Sequence, residues 1–165
     1  MSKPSRPLAL DKIDLKILAV LQREGRITKL ALAEKVNLSP TPCWARLKRL
    51  EEAGVIAGYH ARLALEKLGP ITTVWTEITL ASHKAGDFAA FEQAVQARPE
   101  IAECWATGGG IDYLLKVVTR DVDAYQRLID ELLEADLSID RYFTYIVTKS
   151  VKAPPQIPVG ELFGE

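Results

Sequence analysis

The chain has 165 residues, 48% of them hydrophobic, and a net charge of −1, which predicts a globular chain of one domain or two small ones. The N-terminal MSKPSRPLAL lacks the apolar core of a signal peptide, and no run approaches the roughly 18 apolar residues of a transmembrane helix. Cys43 and Cys104 form no metal-binding or disulfide pattern, so we expect a cytoplasmic protein with reduced thiols and no metal.

Three amphipathic helices are predicted in the first third of the chain. The first spans Asp11–Glu24 and the second Thr28–Val36, each starting on a residue that caps helices well. Asn37-Leu38 then turns the chain, because asparagine tolerates the left-handed conformation. A third helix follows at about residues 39–53, and helix–short turn–helix predicts a helix-turn-helix unit.

The third helix has an apolar side and a cationic side. Ser39 and Pro40 suit its start, although Thr41-Pro42 offers the same pair two residues later. Cys43, Leu47 and Leu50 form the apolar stripe. The remaining residue types are those that read base edges and bind phosphate, and we predict DNA contacts from Ser39, Thr41, Trp44, Ala45, Arg46, Lys48 and Arg49.

These side chains divide by their angle around the helix. Lys48 and Arg49 are predicted to point nearest the groove, whereas Arg46 lies on the flank, where it contacts either phosphate or an acidic neighbour. For Trp44, packing at the edge of the helix is favoured over the alternative of a contact with a DNA sugar or a thymine methyl. The alternative interpretation of the whole surface is a solvated cationic face.

The division of charge favours the DNA interpretation. Residues 1–70 contain 13 Lys+Arg and 7 Asp+Glu, a balance of +6, while residues 71–165 contain 8 and 15, a balance of −7. Such a distribution concentrates phosphate affinity in the first half of the chain. Val55–Leu63 (VIAGYHARL) follows the third helix and is β-like, as a wing or connecting strand would be.

A second domain is predicted at residues 71–150, after a linker at residues 64–70. Its elements are a strand at Ile71–Ala81, a helix at Asp87–Ala97, strands at Ile101–Thr107 and Tyr113–Thr119, a helix capped by Asp121, and a strand at Ile139–Lys149. The order βαββαβ is ferredoxin-like, with both helices on one sheet face. The predicted fold class is therefore α+β.

The strands are apolar on both faces, so the face without helices also needs cover. Phe143, Tyr145 and Val147, for example, oppose Tyr142 and Ile146 on the last strand. The tail at residues 151–165 contains three prolines and would make a poor lid. We therefore predict a homodimer, whose two-fold symmetry would present two helix-turn-helix units to a palindromic site.

The chain resembles the Lrp/AsnC family of bacterial transcriptional regulators over about residues 10–150. The resemblance rests on LDKIDLKIL at residues 10–18, LSPTPCWARLKRLEEAGVIAGY at residues 38–59 and GIDYLLK at residues 110–116. It implies a winged helix-turn-helix domain at residues 10–63 and an ACT-like βαββαβ domain that binds effectors and forms dimers, often octamers. It also implies control of metabolic genes, with an amino acid or derivative bound between subunits.

The turn between the middle strands is where the resemblance places the effector. The implied effector residues are Gly108, Gly109, Gly110, Ile111, Asp112 and Tyr113. Many relatives have an acidic residue where this chain has Gly110, which should alter how an effector's ammonium group is held. Three glycines also suit a tight turn by itself, and Asp112 is equally suited to stabilising that turn.

Two other functions were compared with effector-controlled regulation. A regulatory domain of an amino-acid enzyme is disfavoured, because no nucleophile–base or metal constellation is present and His60 and His83 are isolated. We therefore expect no enzymatic activity and no cofactor beyond the effector. An architectural DNA-binding protein without effector control stays open, and a ligand screen would separate it from a regulator.

Overall fold

The computed structural model describes residues 8–152 and 157–164, which fall into two units. Of the described residues, 8–62, 152 and 157–164 belong to the first unit, and Leu63–Val151 form the second. No helix in these described ranges is both long and apolar enough to cross a membrane.

The first unit contains the three predicted helices, α1 (Lys12–Arg23), α2 (Lys29–Lys35) and α3 (Pro40–Glu52). Asp11 caps α1 by accepting the N–H groups of residues 13 and 14, and the Asp14 side chain accepts the Asp11 N–H in return. Thr28 caps α2 through the N–H of residue 31. Asn37 has a φ of 57°, which confirms the predicted left-handed turn between α2 and α3.

The core of this unit consists of apolar side chains from all three helices. Those most deeply buried are Ile17, Leu32, Ala33, Val36, Cys43, Leu47 and Leu50, which confirms the predicted stripe of α3. Val55–Leu63, by contrast, forms no strand anywhere in its length, all of which is described. The β-like prediction was wrong for the isolated chain, because extended backbone becomes a strand only when a neighbouring strand pairs with it.

The second unit is the predicted four-stranded sheet with two helices, preceded by a short 3-10 turn at Leu65–Lys67. Its elements are β1 (Thr72–Leu80), α4 (Ala85–Gln96), β2 (Ile101–Ala106), β3 (Tyr113–Thr119), α5 (Val122–Glu134) and β4 (Ile139–Ile146). The strand order is β2-β3-β1-β4 and all neighbours are antiparallel, which confirms the ferredoxin-like topology. β4 ends three residues before the predicted Lys149.

One face of this sheet packs on α4 and α5. Val74, Thr76, Ile78 and Leu80 alternate into the core, as predicted for β1. The buried Tyr125 hydroxyl lies 3.0 Å from Thr76 Oγ1 and 2.6 Å from Thr144 Oγ1. This apolar core therefore contains a polar group whose hydrogen bonds are satisfied, as burial requires.

The other face of the sheet carries apolar side chains that nothing in the second unit covers. Trp105, Phe143, Tyr145 and Val147 are all exposed there. Glu103 and Lys116 add an ion pair of 2.8 Å on this face. Helices α4 and α5 therefore cover one of the two apolar faces, and the other face has no cover within this unit.

The described end of the chain lies against the first unit. A short helix, α6 (Val159–Phe163), packs on α1, and the Gln22 side-chain amide makes two hydrogen bonds with the backbone of Ile157, at 2.8 and 3.1 Å. Residues 157–164 are thus a part of the first unit rather than a free tail. Residues 153–156 of the predicted tail lie outside the described ranges.

Candidate nucleic-acid interface and ligand-binding turn

The outer side of α3 presents the predicted DNA-contacting residues to solvent. Ser39, Thr41, Trp44, Ala45, Lys48 and Arg49 are exposed, and Arg46 is half-buried. Pro40 occupies the first turn and Ser39 the N-cap position, although the Ser39 side chain makes no capping hydrogen bond. Its hydroxyl therefore remains available to a ligand at the start of the helix.

Lys48 is the most weakly held cation of this surface. Its ammonium lies 3.5 Å from the carboxylate of Glu52, one turn along α3, and both side chains are more than half exposed. An exposed pair of this kind contributes little to stability. Lys48 can therefore exchange Glu52 for a phosphate at little cost.

Arg46 and Arg49 bind α1 instead of pointing freely outward. Arg46 Nη1 lies 2.6 Å from Asp11 Oδ2 and 2.9 Å from Asp14 Oδ1, so this flanking arginine pairs with acidic neighbours. Arg49 Nη2 lies 2.5 Å from Asp14 Oδ2. The prediction that Arg49 points nearest the groove is corrected to this extent, because its guanidinium is drawn to a buried carboxylate.

Asp14 is the residue that the sequence analysis missed. Its side chain is fully buried and accepts both guanidinium groups as well as the Asp11 N–H at 3.0 Å. The spacing of Asp11 and Asp14 is that of a helix-capping pair, which was the available signal. The network fixes α3 against the first turn of α1, and so fixes the angle at which the outer side of α3 is presented.

The network also perturbs ionisation. The Asp14 N–H, followed by the Arg46 guanidinium, holds the pKa of Asp11 below its ordinary value. The two carboxylates in turn raise the pKa of Arg46. Both shifts favour the charged forms and so maintain the ion pairs.

Trp44 and Tyr59 each contact a charged side chain of the first unit. The Lys29 ammonium lies 4.6 Å from the centroid of the Trp44 ring, a cation–π contact between α2 and the edge of α3, in keeping with the expected edge position of Trp44. The Tyr59 hydroxyl donates to Glu51 at 2.8 Å. Burial and this carboxylate raise the pKa of Tyr59 to about 12.

In the second unit, the glycine turn joins β2 to β3. Gly109 has a φ of 134°, a value that residues other than glycine rarely adopt. Gly108 and Gly110 have no such requirement, and a Cβ at either would meet nothing within 4 Å. Two hydrogen bonds close the turn. The Thr107 N–H donates to the Asp112 carbonyl at 2.9 Å, and the Thr107 hydroxyl donates to the Ile111 carbonyl at 2.7 Å.

Asp112 and Tyr113 both make contacts within the unit. Asp112 Oδ2 accepts the Leu80 N–H at 2.8 Å, and His83 Nε2 lies 3.1 Å from Asp112 Oδ1 and 3.2 Å from Oδ2. Neither contact is to the turn itself, so the Asp112 side chain ties the end of the turn to the end of β1 and to His83. The Tyr113 ring is buried against Phe91, 4.6 Å between centroids, so its side chain belongs to the core.

The Tyr113 hydroxyl donates to Glu92 at 2.9 Å, and burial, more than this carboxylate, raises the pKa of Tyr113 above its ordinary value. The sequence predicts an isolated surface histidine at position 83, yet the exposed His83 pairs with Asp112. Its contact could not be read from the sequence, because 29 residues separate the two.

Within the described ranges, no group of three or more His, Cys, Asp or Glu residues is arranged to hold a metal ion. Cys43 is buried and Cys104 partly buried, and burial raises the pKa of both thiols. These cysteines are therefore weak nucleophiles.

Two family models match the chain. Residues 10–57 match a winged helix-turn-helix DNA-binding domain and residues 73–157 match the Lrp/AsnC ligand-binding domain. The first of these covers α1 to α3, and the second contains the glycine turn and all of the sheet except the first residue of β1.

Several characterised proteins are similar over most of their length. The transcriptional regulatory protein DoeX of Halomonas elongata is 57% identical over 147 residues, 89% of this chain and 93% of that protein. The leucine-responsive regulatory protein of Haemophilus influenzae is 46% identical over 89% of each chain. A transcriptional regulator of Neisseria meningitidis, solved in complex with L-methionine, superposes with a TM-score of 0.87 at 34% identity, covering 93% of this chain and 99% of that one.

Proposed function

Because this chain belongs to the Lrp/AsnC family of transcriptional regulators, we propose that it binds palindromic operators as a dimer or higher oligomer and that a small effector at the glycine turn modulates this binding. The coarser function follows from the family itself: the protein is a DNA-binding transcriptional regulator with a ligand-binding domain. Operator symmetry, assembly and effector are the proposed part.

The proposal for DNA recognition rests on the outer side of α3. It combines small side chains, Thr41 and Ala45, with the loosely held Lys48, as a helix lying in the major groove requires. Arg46 and Arg49 retain side-chain exposures of 29% and 46%. They can therefore offer their unpaired N–H groups to phosphate while Asp14 orients them.

The uncovered sheet face supports the proposed dimer. Trp105, Phe143 and Tyr145 form an exposed apolar surface on the side of the sheet away from α4 and α5. A second copy of the chain would cover it, and a two-fold axis would pair two α3 helices for two half-sites.

The proposed effector site is the glycine turn, Gly108–Tyr113. It lies within the segment that matches the family's ligand-binding domain, and its glycines leave open space where side chains would stand. The similarity to a regulator solved with L-methionine supports an amino acid or a derivative as effector. Control of amino-acid or related nitrogen and carbon metabolism follows as the proposed physiological role.

The proposal is tested by selecting bound sequences from a library of random DNA duplexes. We expect a two-fold symmetric consensus for the wild type and a lower yield of bound DNA for Lys48→Ala, with Glu34→Gln on α2 as an exposed control. An unsymmetric consensus would contradict the dimeric mode. If no amino acid or related metabolite changes either the DNA affinity or the melting temperature, the effector part fails and an architectural role is favoured.

A further inference from the structure

The carboxylate of Asp112 is already occupied. It is the one acidic side chain between Thr107 and Tyr113 in the sequence, and it accepts the Leu80 N–H and lies within 3.2 Å of His83 Nε2 through both oxygens. Its side chain is 18% exposed, whereas that of His83 is 64% exposed. His83 therefore covers this carboxylate from the solvent side.

His83 is held in this position by a second contact. Its ring stacks on Phe88 of α4, with 5.8 Å between centroids and 8° between planes. Phe88 in turn meets the edge of the buried Tyr113 ring. The imidazole is thus placed by an aromatic surface that is anchored in the core, and it is not merely one rotamer of a free surface side chain.

The turn itself offers hydrogen-bond donors. The backbone N–H groups of residues 108–111 donate to no acceptor in the described parts of the chain, and residues 108–110 are exposed. Consecutive free N–H groups with no side chains beside them suit an anion. A carboxylate can approach them closely because a Cβ at Gly108 or Gly110 would have empty space around it.

A free amino acid brings an ammonium group as well as a carboxylate. That ammonium carries three donors and a full charge, and a carboxylate is the acceptor that binds it most strongly. The one carboxylate between Thr107 and Tyr113 is that of Asp112, and His83 covers its solvent side, so an ammonium would have to displace His83 to reach it. An acid that lacks the amine has no such requirement.

We propose that the glycine turn selects an organic carboxylate without a protonated amine at carbon 2, and that His83 is the specificity residue, acting by occupying Asp112. This inference rests on the proposed function, since it assumes that the effector binds at the turn. It goes further by naming the chemical class of ligand and the residue that sets it.

The experiment compares matched ligand pairs that differ at carbon 2 alone. Purified full-length protein is titrated with apolar L-amino acids and with the 2-oxo and L-2-hydroxy acids of the same side chains, with thermal shift and calorimetry as readouts. We expect the amine-free acid of at least one pair to bind about tenfold tighter, as expected when one charge-assisted hydrogen bond is not satisfied.

Variants identify the residue responsible. His83→Ala should free Asp112 and move the ratio of affinities toward the amino acid by about tenfold, whereas His83→Gln, whose amide can still donate to Asp112, should retain most of the wild-type ratio. Gly110→Asp, which adds a carboxylate to the turn, should also move the ratio toward the amino acid. His60→Ala in the first unit is the matched control and should leave the ratio of affinities unchanged.

The outcomes separate the two levels of the proposal. A wild type that prefers the amino acid in every pair would overturn the specificity assignment while leaving the effector function intact. A ratio that His83→Ala leaves unchanged would do the same for the role of His83. Binding of neither member of any pair would contradict effector binding at the turn and this inference with it. A ratio that moves equally in His83→Ala and His83→Gln would show that the Asp112 contact is not the cause.

Discussion

Replacement of Asp14 by asparagine should destabilise the DNA-binding unit although Asp14 contacts no DNA in the proposed mode. The substitution preserves side-chain volume but removes the charge, and it turns one acceptor oxygen into an NH₂ group. Arg46 or Arg49 would then face a donor instead of an acceptor. The remaining carbonyl can still accept one of them.

The magnitude follows from the contacts. A hydrogen bond to a charged group contributes about 1.5–3 kcal/mol, and Asp14 makes such bonds with two guanidinium groups while being fully buried. Because Arg46 and Arg49 are 29% and 46% exposed, solvent recovers part of each contact, and we expect a loss of about 2–3 kcal/mol. For a unit of this size that corresponds to a fall in Tm of about 10–20 °C.

Differential scanning calorimetry of full-length Asp14→Asn against the wild type measures this loss. Glu34→Gln, an exposed carboxylate on α2, is the control and should change stability by less than about 0.5 kcal/mol. A double-mutant cycle of Asp14→Asn with Arg49→Met should show coupling, because the two residues are in contact.

A shift in Tm within the range of the Glu34→Gln control would refute the reasoning. So would strict additivity of the Asp14 and Arg49 substitutions. Either result would mean that the two guanidinium groups are satisfied by solvent, and that the position of α3 depends on the apolar core alone.

Four further predictions concern other parts of the chain. Lys48→Ala should weaken binding to DNA and lower the slope of log affinity against log salt by about 1, with an unchanged Tm; an unchanged slope in mobility-shift titrations would remove Lys48 from the phosphate contacts. The pKa of Asp11 is lowered in the folded state, so its contribution to stability is present above the ordinary aspartate pKa of about 4 and is lost as the pH falls through the lower folded-state pKa. In Asp11→Ala, the free energy of unfolding from chemical denaturation should therefore fall less steeply with decreasing pH in this range, and the wild-type pH dependence would contradict the prediction. A chain ending at Lys152 should melt at a lower temperature in its DNA-binding unit, since it loses α6 and the Gln22 contacts; calorimetry showing the wild-type Tm would refute a structural role for that segment. Tyr145→Glu on the uncovered sheet face should shift the protein toward monomer in sedimentation velocity, because a buried unpaired carboxylate is costly; an unchanged sedimentation coefficient would place the dimer contact elsewhere.

The fold could be predicted almost entirely from local patterns. Helical spacing of apolar residues indicated α1 to α5, and alternation indicated the strands, with β3 assigned to the residue. These signals are periodic along the chain and do not depend on distant neighbours. The strand prediction for Val55–Leu63 failed because no strand in the described ranges pairs with this segment, and pairing is not a local property.

The candidate sites were less predictable because their chemistry depends on contacts between distant residues. The sequence indicated a cationic α3, a left-handed Asn37 and a glycine turn, since residue type alone carries that information. The capping-pair spacing of Asp11 and Asp14 was visible in the sequence, but it does not reveal that Asp14 buries its charge under two arginines 32 and 35 residues away.

By itself, then, the sequence determined the order of elements, the buried side of each and the residue types at the two sites, because these follow from backbone preference and hydrophobic spacing. Only the tertiary structure decided which polar groups are already paired. Arg46 and Arg49 are oriented by Asp14, and Asp112 is covered by His83. The physical reason is that a side chain's availability to DNA or to an effector depends on its neighbours in space, which packing of the helices and sheet brings together.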